Sequence, residues 1–284
     1  MAPVRTLHHA AGLRAADHAC WAYTSHRGFV GAAVTFLAEG GQLGERLLYV
    51  GTMDDDELTA DLAALPERDA WIAEGRLSVH HLDDVYDPQD RSEPAAQVEL
   101  FRKEAAAAVA EGFSGLRVVA DVTNLAESPE DLNRMAAYEL SVDGMIAANP
   151  VTGLCAYDER RVGERIGALA AMHTLQHRTG KPASFAVTLR GSTLTVTGEI
   201  DSMCADDLHH ALDAVQDVTD GPLRIDLSSL DFIDVAGTRT LARAVARMVD
   251  DGRELRVHGA RSASRRCLEL FGLDVVDEGE EAAS

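Results

Sequence analysis

The chain has 284 residues, of which 46% are hydrophobic, and this length favours two domains with a core each. Its formal net charge of −21 argues against a nucleic-acid or anionic-membrane binder, since both need clustered Lys and Arg. No apolar run approaches the ~20 residues that span a bilayer, and the N-terminus lacks the apolar core of a signal peptide. We therefore expect a cytoplasmic protein. Its four cysteines form no Cys-x-x-Cys pair, which favours free thiols.

The first half alternates predicted strands with predicted helices. His18–Tyr23 has the pattern of a buried strand, and the following helix ends at Gly40-Gly41. Further strands are predicted at 47–50, 77–82, 116–121 and 153–157. Further helices are predicted to start at Asp54, Ser92, Ser128 and about Arg160, the last one running to His177. This alternation predicts an α/β fold with a parallel sheet covered by helices on both faces.

The second half begins after a polar, turn-rich segment, 178–184, that predicts a linker. It opens with a predicted β-hairpin, 185–198, followed by a helix, a strand at 223–227, a loop and a second helix. Asp234 stands at the N-cap position of that second helix, whose N-terminus would favour a phosphate or a carboxylate of a partner. The sequence thus divides into domains at 1–177 and 185–278, with an acidic tail at 279–284.

The loop of the second half has a familiar sequence. Residues 226–241 read Asp-Leu-Ser-Ser-Leu-Asp-Phe-Ile-Asp-x-x-Gly-x-x-x-Leu, which resembles the signature loop of STAS domains, the sulfate-transporter and anti-sigma-factor-antagonist family. Residues 197–201 and 271–274 match two further pieces of that domain. The resemblance implies a small α/β domain that binds an anti-sigma factor or a kinase-type switch protein. The implied partner contacts are Asp201, Asp234, Val235, Ala236, Gly237 and Thr238.

One position departs from the STAS pattern. In the bacterial regulators of the family, the serine next to the loop glycine is phosphorylated by an anti-sigma kinase, and here that position is Ala236. Without a hydroxyl, no phosphate can be placed there to drive partners apart. We expect a docking surface locked in its unphosphorylated form. Of the nearby hydroxyls, only Thr238, in the first helical turn, is a candidate substitute acceptor.

The first half carries four short pieces that resemble a MEDS domain, the sensory module named from methanogen and methylotroph regulators. They are His18-x-Cys20-x-x-Tyr23, Phe36-Leu37-x-x-Gly40, Gly44-Glu45-x-x-Leu48-Tyr49-Val50 and Leu154-Cys155-x-Tyr157-Asp158. The resemblance implies a degenerate relative of RecA/KaiC-type P-loop ATPases that senses small organic ligands.

ATP hydrolysis is not expected. The strand-to-helix loop at 24–28 reads Thr-Ser-His-Arg-Gly, without the lysine and the second glycine of a Walker A loop. Asp121 resembles a Walker B carboxylate at the end of a strand, but it lacks a metal-bound phosphate to serve. We therefore expect no enzyme.

A ligand site is predicted where the parallel strands end, because open α/β sheets bind ligands there. The predicted ligand-binding residues are His18, Cys20, Tyr23, His26, Asp121, Cys155 and Tyr157. A small-molecule pocket is the preferred interpretation, and no metal or cofactor is predicted. A thiol–imidazole metal or haem site, and a core strand bonded internally, stay open as alternatives. His173 and His177, at i and i+4 of the predicted helix, are expected to have packing or surface roles.

Three functions compete. The first is a regulator that couples ligand sensing in the first half to partner binding in the second. The second is an enzyme, either a residual nucleotidase or a thiol catalyst built on Cys20 and His18, for which the sequence supplies no oxyanion site. The third is a structural subunit of a signalling assembly. A homodimer is compatible with any of them.

Overall fold

A computed structural model of the chain describes residues 3–86 and 94–276, and two β-sheets organise that part of the chain. The strands of the first sheet are β1 (Arg5–Thr6), β2 (His18–Tyr23), β3 (Arg46–Gly51), β4 (Leu77–His81), β5 (Leu116–Asp121), β6 (Val151–Asp158) and β7 (Leu175–His177). All pairs are parallel, in the order β1-β7-β2-β6-β5-β3-β4. The helices of this half are α1 (His26–Gln42), α2 (Asp55–Asp61), α3 (Arg68–Ala73), α4 (Leu82–Val85), α5 (Pro94–Ala110), α6 (Pro129–Ala148), α7 (Glu159–Val162) and α8 (Ile166–Ala171).

The second sheet is smaller. Its strands are β8 (Phe185–Arg190), β9 (Thr193–Ile200), β10 (Leu223–Asp226), β11 (Leu230–Ile233), β12 (Leu255–His258) and β13 (Val275–Val276). The order is β11-β9-β10-β12-β13, and β8 pairs antiparallel with β9 as the predicted hairpin. The helices are α9 (Ala205–Val218), α10 (Val235–Asp250) and α11 (Ser262–Leu270). The predicted α/β class, with a parallel sheet in the first half and a smaller sheet in the second, is confirmed. Among the described residues, no helix is long and apolar enough to cross a membrane.

Helix starts follow the local capping chemistry. Asp54 accepts a hydrogen bond from the backbone N–H of Glu57, and Ser128 accepts one from Asp131, so both predicted starts are confirmed. The predicted start at Ser92 and the predicted tail at 279–284 lie outside the described residues.

The helix predicted from Arg160 to His177 is wrong. Gly163, at φ 60° and ψ −137°, ends α7 because this conformation is not helical, and α8 already ends at Ala171. The chain then extends into β7, which pairs with β1 and β2. His173 and His177 therefore do not share a helix face. His173 is buried before the strand, whereas His177 bonds to the Leu7 carbonyl.

The first sheet is buried on both faces, with a separate core on each. Cys20 and Ala22 of β2 belong to the core under α5, α6 and α8, whereas Trp21 and Tyr23 belong to the core under α1. This alternation is the period of two that a strand imposes. It places His18, two residues before Cys20, on the side of α6.

The two halves share a continuous core. Ala136, Ala137 and Leu140 of α6 belong to the same buried cluster as the side chains of the second sheet. Next to this contact, α8 packs so closely on α9 that a Cβ at Gly167 would lie 2.2 Å from the Asp207 carboxylate. Burial raises the pKa of Asp207 to about 6.

Candidate functional site

Four buried side chains, three from two strands and a helix and one from the segment after α8, meet on the α6 side of the first sheet. They are His18 of β2, Glu139 of α6, Cys155 of β6 and His173, which follows α8. Their donor atoms all lie within 4.8 Å of one another. We call these four residues the buried cluster.

The Glu139 carboxylate lies at the centre of the buried cluster. Its Oε2 is 3.2 Å from His18 Nε2, 3.4 Å from His173 Nε2 and 3.6 Å from Cys155 Sγ. His18 Nε2 is also 3.4 Å from Cys155 Sγ. Glu139 Oε2 is thus within 3.6 Å of two imidazole nitrogens and one sulfur.

The strand register brings His18 and Cys155 together. β2 and β6 are parallel neighbours in which His18 is opposite Gly153 and Cys20 is opposite Cys155. A Cβ at Gly153 would lie 3.3 Å from the His18 ring and 2.7 Å from Ile146. Since a larger residue at position 153 would compete for that space, the glycine leaves room for the imidazole.

Outer neighbours fix the orientation of Glu139 and His173. The Tyr157 hydroxyl donates to Glu139 Oε1, which leaves Oε2 facing the other members of the cluster. His173 Nδ1 lies 3.0 Å from the Leu169 carbonyl oxygen, which can only accept, so Nδ1 carries a proton. His173 Nε2 has no well-aligned hydrogen-bond partner within residues 3–86 and 94–276, although it is buried.

A chain of polar contacts leads from His18 into the second half. His18 Nδ1 is 3.5 Å from Asp143 Oδ1, and Asp143 Oδ2 is 2.5 Å from Arg190 Nη1. Asp143 belongs to α6, whereas Arg190 ends β8 of the second sheet. The buried cluster is therefore one carboxylate away from a side chain of the other half.

Burial and charge act against each other in the cluster. Burial by itself would raise the pKa of Glu139, but the His173 and His18 imidazoles outweigh it and hold that pKa well below its usual range. Burial also opposes the protonation of His18, whereas Cys155, Asp143 and Glu139 raise the pKa of its imidazole. Burial raises the pKa of the Cys155 thiol to about 12. These shifts favour an ionised carboxylate at Glu139 and a neutral thiol at Cys155.

A cavity of about 20 Å³ lies beside the cluster, lined by His18 and Cys155 together with Tyr86, Phe101 and Tyr138. This volume holds about one water-sized group. An organic ligand of several atoms would have to displace these walls.

The predicted ligand-binding residues divide between the two faces of the sheet. His18, Cys20, Cys155 and Tyr157 lie on the cluster face, although Cys20 is not one of the four grouped donors. On the other face, the Tyr23 hydroxyl donates to Asp121 at 2.7 Å, and Thr123 Oγ1 donates to the same carboxylate at 2.6 Å. The exposed His26 pairs with Asp61 at 2.9 Å. The seven residues thus do not form one pocket.

Two members of the cluster were not among the predicted ligand-binding residues. Glu139 carried a signal, because it occupies a position on the apolar stripe of α6 between Leu132, Met135 and Val142, where a carboxylate needs a partner. His173 was obscured by the incorrectly predicted helix.

The loop of the second half is capped as predicted. Asp234 accepts a hydrogen bond from the Gly237 N–H at 2.9 Å and begins α10. Phe232 and Val235, on either side of it in the chain, are 49% and 61% exposed, and Met203, three residues after the Ile200 that pairs with Ile233, is 87% exposed. These three side chains and Asp234 form what we call the loop surface.

Thr238, the candidate substitute acceptor, is buried in the structure. Its hydroxyl donates to the Asp234 carbonyl at 2.7 Å and lies 3.3 Å from Cys267 Sγ. A kinase could not reach this hydroxyl without opening the first turn of α10.

Comparison with known families accounts for nearly the whole chain. The family model of the methanogen/methylotroph, DcmR sensory domain, or MEDS, matches residues 17–174. The chain therefore belongs to the MEDS family. A STAS domain, described as Mlab, STAS domain, follows at residues 184–277, so both resemblances seen in the sequence are confirmed in their order. A sensory domain joined to a STAS domain defines a signalling regulator.

Individual proteins add little. No curated protein matches the chain. The crystal structure of the DUF1998 helicase MrfA bound to DNA and AMPPNP is 11% identical, with a TM-score of 0.32, and the alignment covers 92% of this chain and 39% of that one. A likeness at this level carries no argument about fold or function.

Proposed function

We propose that the chain is a sensor in which the state of the buried cluster controls partner binding by the STAS domain. The observation that carries this proposal is the position of two elements. α6 and the segment 171–173 at the end of α8 each contribute one residue to the cluster and at least two to the core of the STAS half.

α6 is the first connection. Glu139 and Asp143 point to the cluster, whereas Ala136, Ala137 and Leu140 pack into the core shared with the second sheet. A displacement of Glu139 by a ligand would move α6, which is packed into the core of the STAS domain. Close-packed cores rearrange between discrete packings rather than deform continuously, so such a displacement favours a second arrangement of the joint.

The end of α8 and the Asp143–Arg190 ion pair are the second and third connections. His173 directly follows Ala171 and Met172, which both belong to the shared core. The ion pair joins His18, through Asp143, to the hairpin of the STAS domain. Sensing would then be a population shift between two arrangements, with a coupling free energy of about 1–3 kcal/mol.

The output is binding of an anti-sigma factor or a kinase-type switch protein. The STAS match supports this class of partner, and the loop surface supplies exposed apolar side chains around the capped helix start. Asp201, Asp234, Val235 and Ala236 are the proposed contacts, because Gly237 and Thr238 are buried. Because Ala236 has no hydroxyl, partner release depends on the first domain rather than on phosphorylation.

Regulation is favoured over catalysis. A thiol whose pKa is raised to about 12 by burial is a poor nucleophile near neutral pH. The Asp121 carboxylate, which resembles a Walker B residue in sequence, accepts hydrogen bonds from the hydroxyls of Tyr23 and Thr123. These bonds give Asp121 a role within the fold rather than in nucleotide hydrolysis.

The experiment that tests the output uses purified kinase-type anti-sigma factors and ATP. We expect the wild-type chain to bind such a kinase without gaining mass, whereas Ala236→Ser gains one phosphoryl group by intact mass spectrometry. Val235→Asp should weaken binding at least about 30-fold in calorimetry, since a charge would be buried in the interface. Val109→Asp, on an exposed valine of α5, is the matched control and should bind normally. Phosphorylation of the wild-type chain, or equal binding by both valine variants, would refute the proposal.

A further inference from the structure

We propose that His18, Glu139, Cys155 and His173 bind a divalent transition metal ion, for which zinc is the best fit. This inference deepens the proposed function by naming what the sensor's buried cluster holds, and it rests on that function only for the role of the cluster. It also reverses the preference drawn from the sequence, where an organic pocket came first and no metal was predicted.

The distances between donor atoms are those of a tetrahedral site. Zinc lies about 2.3 Å from sulfur and about 2.0–2.2 Å from nitrogen or oxygen, so neighbouring donors in a tetrahedron are about 3.3–3.6 Å apart. Four of the six donor–donor separations in the cluster run from 3.2 to 3.6 Å, and the other two are no longer than 4.8 Å. An ion at the centre would therefore reach all four donors with small adjustments.

The imidazole of His173 presents its Nε2 to that centre. Because Nδ1 donates to the Leu169 carbonyl, Nε2 is the ring nitrogen left to act as a ligand. Nε2 lies 3.4 Å from Glu139 Oε2, so that a metal ion between the two atoms could bind both. Among the described residues, this buried nitrogen has no well-aligned hydrogen-bond partner. A metal ion supplies the missing partner.

The charges balance when a divalent ion is bound. One carboxylate and one thiolate contribute two negative charges, the two neutral imidazoles contribute none, and the ion contributes two positive charges. The site is then neutral, as a fully buried position requires. As metal ligands, Cys155 would bind as a thiolate and both histidines as neutral imidazoles, so that metal binding would release any protons that these groups carry.

The outer neighbours have the arrangement that metal ligands need. Tyr157 bonds to the carboxylate of Glu139, the Leu169 carbonyl orients His173, and Asp143 lies beside the far nitrogen of His18. Carboxylates and carbonyls commonly fix ligand histidines in this way. Because Asp143 also pairs with Arg190, binding of a metal ion would change the ion pair that joins the cluster to the STAS hairpin.

The donor set selects the kind of ion. Calcium and magnesium require oxygen ligands, whereas imidazole together with thiolate suits zinc and its neighbours in the first transition row. Four protein donors also give a closed site of the structural type.

The test uses the full-length chain purified without chelators. We expect one equivalent of zinc per chain by elemental analysis. After removal of zinc and loading with Co²⁺, the protein should show the thiolate-to-cobalt charge-transfer band and the intense visible bands of tetrahedral cobalt. Cys155→Ser should lose the charge-transfer band, and His173→Gln should bind Co²⁺ at least about 100-fold more weakly. Cys204→Ser, a buried cysteine of the STAS half, is the matched control and should keep the spectrum.

Three results would overturn the inference. They are no uptake of Co²⁺ by the folded wild-type chain, a cobalt spectrum without the thiolate band, or an unchanged spectrum in Cys155→Ser. If Cys155→Ser does not fold by circular dichroism, the wild-type spectrum decides alone. Metal content is measured without a partner protein, so failure here is distinguishable from failure of the kinase-binding test.

Discussion

Replacing Leu140 with alanine is expected to lower the free energy of unfolding by about 2–5 kcal/mol and to separate the melting of the two domains. Leu140 is 1% exposed and belongs to the core that α6 shares with the second sheet. Its truncation leaves a cavity in the shared core, so that the STAS domain loses part of its packing against α6. Differential scanning calorimetry should show one transition for the wild-type chain and two for Leu140→Ala.

Leu100→Ala is the matched control, because Leu100 is 39% exposed on α5 and belongs to none of the buried core clusters of the described residues. It should shift the transition little. If Leu140→Ala melted in one transition at the wild-type temperature, α6 would not hold the two domains together.

Replacing Arg117 with methionine is expected to destabilise the MEDS domain by about 3–5 kcal/mol. The guanidinium is fully buried, where it pairs with Glu45 and donates to the carbonyls of Leu13 and Phe36. The cost arises because Glu45 would remain as a buried charge without its counterion. Chemical denaturation, followed by tryptophan fluorescence from Trp21 and Trp71, measures the loss.

The double variant Arg117→Met, Glu45→Met tests the reason for that loss. Since no unpaired charge remains, it should be more stable than Arg117→Met alone. A single variant that lost less than about 1 kcal/mol, or a double variant that was less stable than the single one, would show that an unpaired charge on Glu45 does not cause the loss.

Much of the fold follows from local patterns in the sequence. The alternation of β2, the caps at Asp54 and Ser128 and the capped loop at Asp234 are each determined by a few neighbouring residues. The structure of the C-terminal end of the MEDS domain is not predicted by such local patterns. Ile166, Leu169 and His173 continue a helical spacing, but pairing of β7 with β2 draws the chain into the sheet instead. A tertiary contact thus overrides the local period.

The candidate site was predictable only in part. His18 and Cys155, both predicted as ligand-binding residues, do lie next to each other, because parallel strands place such residues side by side. Tyr23 was assigned to the same site although the period of two puts it on the opposite face. Glu139 comes from a helix whose packing on β2 and β6 no local pattern specifies.

Hydrogen–deuterium exchange of the full-length chain tests the central claim that the buried cluster is coupled to the STAS domain. The comparison is between the wild-type chain, Glu139→Gln, and Glu130→Gln as the matched control on the exposed side of the same helix. We predict that Glu139→Gln changes amide protection in α9, in the β8–β9 hairpin and at the start of α10, whereas Glu130→Gln does not. Changes confined to the MEDS domain, with the STAS amides protected as in the wild-type chain, would contradict the account.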